Sequence, residues 1–149
     1  MMRGRCGFTL MEVLLALFIL SLLAAIAAPS FSRTLVSGRI RVCTAEVRAT
    51  MARARSYAVT GGQVRVVVFH LEEGKFGLDT DEVLRVFPEP IRFGAVKVRG
   101  EEIRGEAARV RFYPDGTAEE AEVVITSGDG VALRVKTDPL TGIVEAGLR

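Results

Sequence analysis

Three hydrophobic patterns follow one another along the chain. Residues 8–28 are apolar except for Thr9, Glu12 and Ser21. At about 1.5 Å of rise per residue, such a run is long enough to cross a bilayer core of roughly 30 Å, so the pattern predicts a membrane-spanning helix. Beyond Pro29, the residues Val36, Ile40, Cys43, Val47, Met51, Ala54 and Ala58 recur at helical spacing with arginines mostly between them. This predicts an amphipathic helix whose apolar stripe packs into a core. Pro29 can kink the chain without stopping the helix. Thr60-Gly61-Gly62 closes it after about Val59, because glycine adopts the left-handed conformation that ends helices.

After Gly62 the pattern becomes extended. Residues 63–70 hold Val64, Val66, Val67, Val68 and Phe69, β-branched and aromatic enough for a strand. Shorter strands are predicted at 75–78, 83–87, 91–93, 96–99, 109–113, 122–126, 131–136 and 143–145. Turn residues divide them at Glu72-Glu73-Gly74, Pro88-Glu89-Pro90, Pro114-Asp115-Gly116, Gly128-Asp129-Gly130 and Asp138-Pro139. Closely spaced strands with no βαβ alternation imply an antiparallel sheet, or two small ones, packed on the helix stripe. The fold class is α+β.

Arg3 and Arg5 precede the apolar run, and positive charge beside a span remains on the cytoplasmic side, which puts the rest of the chain outside. Glu12 contradicts its surroundings. Even permissive scales charge a central acidic residue about 2.5 to 3.5 kcal/mol for entering a bilayer. A partner would offset this. If the chain is cut after Gly7, the new α-amino group of Phe8 lies one helical turn from Glu12, and the two can pair within one subunit or between staggered neighbours.

The leader ending in Gly7, then Phe8-Thr9-Leu10, Glu12 and the long Leu/Ala/Ile run, resembles the class III signal of type IV prepilins and pseudopilins. The resemblance implies that a prepilin peptidase cuts between Gly7 and Phe8 and methylates the amino group of Phe8. It also implies that Glu12 recruits the subunit into a growing filament. The alternative reading is an ordinary secretory signal peptide, with Ala25-Ile26-Ala27 as a small-residue cleavage site, although a charge within the apolar region is unexpected there. The domain plan is then a leader at 1–7, a transmembrane helix at 8–28, an amphipathic stalk at 29–60 and a β-rich head at 61–149.

Charge sharpens this plan. Removing Arg3 and Arg5 from 20 basic residues leaves 18, equal to the 18 acidic ones. The stalk carries six arginines against Glu46, a balance of +5, whereas 12 basic and 16 acidic residues from Gly61 onward give −4. A basic stalk beneath an acidic head suits anionic lipid and charge complementarity between staggered neighbours; a solvated helix face is the equally good structural account. Cys6 belongs to the leader, so Cys43 has no intrachain partner after processing and is expected to be a buried, inert thiol.

Catalytic chemistry has little to work with. His70 is the single histidine, which leaves one base for any triad and no zinc constellation, and it is expected at a surface or edge. Asp79, Asp81 and Glu82 cluster as carboxylates that can hold calcium, but they lack the spacing of a dedicated cation loop, so a solvated turn is the better account. No enzyme activity and no cofactor are expected. Arg109 and Arg111 alternate on one strand, and with Arg134, Lys136 and Arg149 they could form a phosphate-binding patch. Against it stands the net acidic head.

The head allows a second comparison. The run Arg109-Val110-Arg111-Phe112-Tyr113-Pro114-Asp115-Gly116, the strands at 122–126 and 131–136, and Thr141-Gly142-Ile143-Val144 resemble the H-type minor pseudopilins of type II secretion and the FimT-like minor pilins of type IV pili. The implied function is a structural minor subunit of one of those filaments, with a DNA-binding minor pilin acting in uptake as the alternative. The implied partners are prepilin peptidase, other pilins or pseudopilins, an inner-membrane assembly platform and, on the alternative reading, DNA. The implied location is a single pass through the inner membrane with the head in the periplasm, then a periplasmic or cell-surface filament.

Overall fold

The computed structural model describes residues 9–148, with side chains described except at 25–37 and 148. The cleavage pair Gly7 and Phe8, the leader, Arg149 and the side chains of Pro29 and Val36 lie outside that set. A single helix, α1 (Leu10–Gly61), is followed by nine strands. The described residues fall into two compact units, divided between Leu35 and Val36.

In the first unit the helix begins on a cap. The hydroxyl of Thr9 accepts the amide of Glu12 at 3.3 Å, and the Thr9 carbonyl accepts the amides of Glu12 and Val13 at 3.1 and 3.2 Å. Glu12 therefore sits in the first turn, where a carboxylate complements the exposed amides and the helix dipole. Eleven large apolar side chains between Leu10 and Leu23 are 44–79% exposed, so they surround the helix rather than forming a stripe. Among the described residues no helix is long and apolar enough to cross a membrane. Residues 8 and 25–28 of the expected span are outside the described side chains.

The second unit holds the core. Ile40, Cys43, Val47, Met51, Ala54 and Ala58 are each at most 4% exposed, so the stripe read from spacing is buried along about five turns. The helix closes at Gly61, and Gly62 follows with φ of 63°. Strands β1 (Arg65–His70), β2 (Lys75–Leu78), β3 (Arg85–Val86) and β6 (Ala107–Phe112) form one antiparallel sheet in the order β3-β2-β1-β6. Strands β4 (Arg92–Val98), β5 (Glu101–Ile103), β7 (Ala121–Thr126), β8 (Ala132–Thr137) and β9 (Val144–Leu148) form a second, in the order β5-β4-β7-β8-β9. Phe69, Phe76, Phe87 and Phe93 meet between them, with ring centroids 4.7 to 6.4 Å apart. Such offset and edge contacts add to the area they bury.

Two expectations change. The predicted strands at 91–93 and 96–99 are one strand, β4, whose register shifts between Phe93 and Val96. Gly94 sits at that irregularity because a Cβ there would stand 2.9 Å from the methyl of Thr126. Strand β5 was not anticipated; it returns from β4 through Arg99-Gly100, both at positive φ.

Candidate functional sites

The two head motifs that are 25 residues apart in sequence meet on one helix side chain. The Nε of Arg55 donates to the carbonyl of Gly116 at 3.2 Å and to that of Thr141 at 2.9 Å. Arg55 thereby clamps the β6–β7 turn and the β8–β9 turn to α1. The turns also bond each other, Ala118 N to Pro139 O at 3.1 Å. Gly142, at φ of 62°, lies at the contact: a Cβ there would collide with the Gly116 carbonyl and stand 2.9 Å from Arg55 Nε. That close approach explains why Thr-Gly precedes the last strand.

Each turn is pinned locally by an aspartate. Asp115 accepts the hydroxyl and the amide of Thr117 at 2.6 and 2.9 Å, which lowers its pKa. Asp138 accepts the amides of Thr141 and Leu140 at 3.0 and 2.8 Å, and these bonds lower its pKa likewise.

Glu119 is the one buried acid among the described residues, and its side chain is 4% exposed. Its Oε1 accepts Arg99 Nη2 at 2.6 Å, Arg99 Nε at 3.0 Å and Arg111 Nη1 at 3.0 Å, while Oε2 accepts the amide of Arg111 at 3.1 Å. Burial pushes this carboxyl up, but the bonds from Arg99 and Arg111 outweigh it and hold the pKa below the usual carboxylate value. Arg99 has φ of 54° in the β4–β5 turn, a place where asparagine or glycine is usual. Its side chain is committed to Glu119, which explains an arginine there.

The proposed phosphate-binding residues are divided between the two sheets. Arg109 and Arg111 are on β6 of the first sheet, Arg134 and Lys136 on β8 of the second. Arg111 binds Glu119, Arg134 faces Glu122 at 3.4 Å and Lys136 faces Glu120 at 3.8 Å. The acidic turn is likewise engaged: Asp81 accepts Arg53 Nη2 at 2.7 Å and the amide of Leu78 at 3.1 Å. Among the described residues no group of three or more His, Cys, Asp or Glu side chains is placed to hold a metal. His70 is half-buried at the end of β1, in register with Lys75 and Ala107; β1 lies inside its sheet rather than at an edge. Cys43 is buried and unpaired, and burial followed by the nearby Glu46 pushes its pKa up.

Sequence reasoning missed Thr9, Arg55, Arg99 and Glu119. Thr9 had a signal, since threonine three residues before glutamate at the head of an apolar run is a capping signature. The others had none, because their partners are distant in sequence and are brought together only by the tertiary packing of turns against the helix and the sheets.

A long N-terminal helix that lends its second half to the core of a two-sheet antiparallel head defines a pilin-like α+β fold. The prokaryotic N-terminal methylation motif matches residues 2–28. The fold is similar to that of the minor pseudopilin EpsH from the type 2 secretion system of Vibrio cholerae, with a TM-score of 0.55 at 10% identity over 74% of this chain and 97% of that one. Comparison with curated proteins gave no match. The chain thus joins a pilin-type N-terminal motif to a pseudopilin-like fold.

Proposed function

We propose that this protein is a non-enzymatic structural subunit, a minor pilin or pseudopilin of a type IV pilus or type II secretion filament. Prepilin peptidase cuts it between Gly7 and Phe8 and methylates Phe8. The helix holds it in the inner membrane with the head in the periplasm until the assembly platform passes it into a filament. What carries this reading is one coincidence: the methylation motif at 2–28 runs into a helix that is apolar on every described side as far as Leu23, while the same helix contributes a buried stripe to the head core from Ile40 onward. Apolar surface of that extent requires lipid or neighbouring helices.

Glu12 has two physical roles to separate: it supports the Thr9 cap, and it supplies a charge for a neighbour's amino terminus. Glutamine serves a capping box but carries no charge. Glu12→Gln and Glu12→Ala are both expected to leave cleavage intact, as read by sequencing the mature amino terminus at Phe8, and to reduce incorporation into filaments several-fold. Normal incorporation of the glutamine variant refutes the charge-pairing role, and an amino terminus near residue 28 refutes the whole reading. Loss of twitching or DNA uptake on deletion assigns the pilus, and retained periplasmic enzymes assign type II secretion. A DNA-binding role has no observation in its favour, since three of the four described cations read for it, Arg111, Arg134 and Lys136, have carboxylate partners.

A further inference from the structure

An unpaired sheet edge is a template for a further strand, and proteins usually blunt such edges. Three of the four edges here are blunted. Strand β3 has two residues, and β5 has three, of which two are glutamates. The outer side of β6 is covered by the following segment, through Glu119 N to Arg111 O at 2.9 Å and the bridge between Phe112 and Ala118.

Strand β9 differs. It pairs with β8 alone, runs five residues from Val144 to Leu148, and carries neither lysine nor proline; its single charge is Glu145, in register with Lys136 of β8. Beside it opens a cleft of about 420 Å³ between the helix and the sheet, with Arg41, Ala45 and Arg48 on one wall and Leu133, Ala146 and Gly147 on the other. Nothing stands within 4 Å of the place where a Cβ on Gly147 would project, so the protein's own packing does not require glycine there. Arg41 and Arg48 are exposed, and neither has a carboxylate partner among the described residues.

The geometry points to β9 as a docking edge for an extended, carboxylate-bearing segment of another protein subunit, added as the next strand of the second sheet. The backbone of the incoming segment pairs with β9. Its helix-facing side chains enter the cleft, an apolar one over Leu133 and Ala146 and acidic ones to either side against the two arginines. The spacing fits. Seven helix residues separate the guanidinium stems by about 10.5 Å, and same-side strand residues two or four apart are about 6.6 or 13 Å apart, a range that flexible arginines bridge. The unpaired backbone is what favours a protein strand over nucleic acid, which would use the arginines but not the edge. This surface lies within the second unit, between α1 and the second sheet, and does not depend on the filament reading.

The test uses the full-length chain in detergent micelles at low salt and a fluorescein-labelled peptide, acetyl-Glu-Thr-Val-Thr-Glu-amide, followed by fluorescence anisotropy. Saturable binding is expected, together with slowed amide exchange in Val144–Leu148. The Lys-Thr-Val-Thr-Lys counterpart and a version with prolines in place of the threonines should bind roughly tenfold more weakly or not at all. The double variant Arg41→Glu, Arg48→Glu should lose about tenfold for the acidic peptide and gain for the basic one. If the reversed pair perturbs folding, Arg41→Gln with Arg48→Gln gives the same comparison. Equal binding of acidic and basic peptides, unaltered exchange in β9, self-association through β9 without peptide, or a single-stranded oligonucleotide that competes for the arginines without protecting β9 would each overturn the proposal.

Discussion

Replacing Glu119 by glutamine keeps its shape and removes its charge. The carboxylate receives three bonds from two guanidiniums and one from the Arg111 amide, and glutamine has one carbonyl oxygen for them while its amide group faces a donor. Hydrogen bonds to charged groups contribute about 1.5–3 kcal/mol each. That gross value must be discounted, because the side chains of Arg99 and Arg111 are 68% and 47% exposed and regain water when released. A net loss of about 2 kcal/mol follows. For a head of this size that lowers the thermal midpoint by roughly 6–10 °C.

The pH dependence gives an independent reading. The folded pKa of Glu119 is depressed, so between the folded and unfolded values the unfolded chain binds more protons. The stabilisation is complete above the unfolded glutamate value of about 4.3 and disappears as pH falls through the lower folded value. Near-UV circular dichroism of the full chain in micelles, melted between pH 3 and 7, should therefore show wild type and Glu119→Gln converging at the acid end. Midpoints within about 2 °C of each other at pH 7, or parallel curves down to pH 3, would refute the reasoning.

Two further substitutions probe the clamp and the core. Gly142→Ala combines a left-handed φ of 62° with a collision against the Gly116 carbonyl, so it should cost at least about 2 kcal/mol in denaturant unfolding and raise amide exchange in both turns held by Arg55. Met51→Ala, at a position 0% exposed, should cost about 2–5 kcal/mol, whereas Met51→Leu should stay within about 1.5 kcal/mol.

Periodicity exposed the helix and its buried stripe because a seam from Ile40 to Ala58 is a long signal that one residue cannot disguise. The strands were legible where β-branched residues cluster, as in β1 and β7. Strand β5 was hidden because Glu101-Glu102 has poor strand propensity and is held only by pairing with β4. Gly94 looked like a break between strands and is an irregularity inside one. The site residues were harder for the same reason. Glu119 and Glu120 are adjacent acids with no local distinction, yet one is buried between two arginines and the other is exposed. Alternation on one strand also made Arg109, Arg111, Arg134 and Lys136 look like a single surface, and sheet assignment separates them.

The buried seam of α1 also decides how the head responds to mechanical load. From Ile40 to Ala58 the contacts extend over about 27 Å, all parallel to the helix axis. A pull along that axis loads them together, in shear, rather than peeling them away one by one. Arg55, near the far end of the seam, adds polar anchors to two turns of the head. A subunit drawn out of a membrane by its helix would therefore carry its head as one piece, and the traction needed to strip the head from the helix would exceed that needed to unzip an equal number of strand pairs.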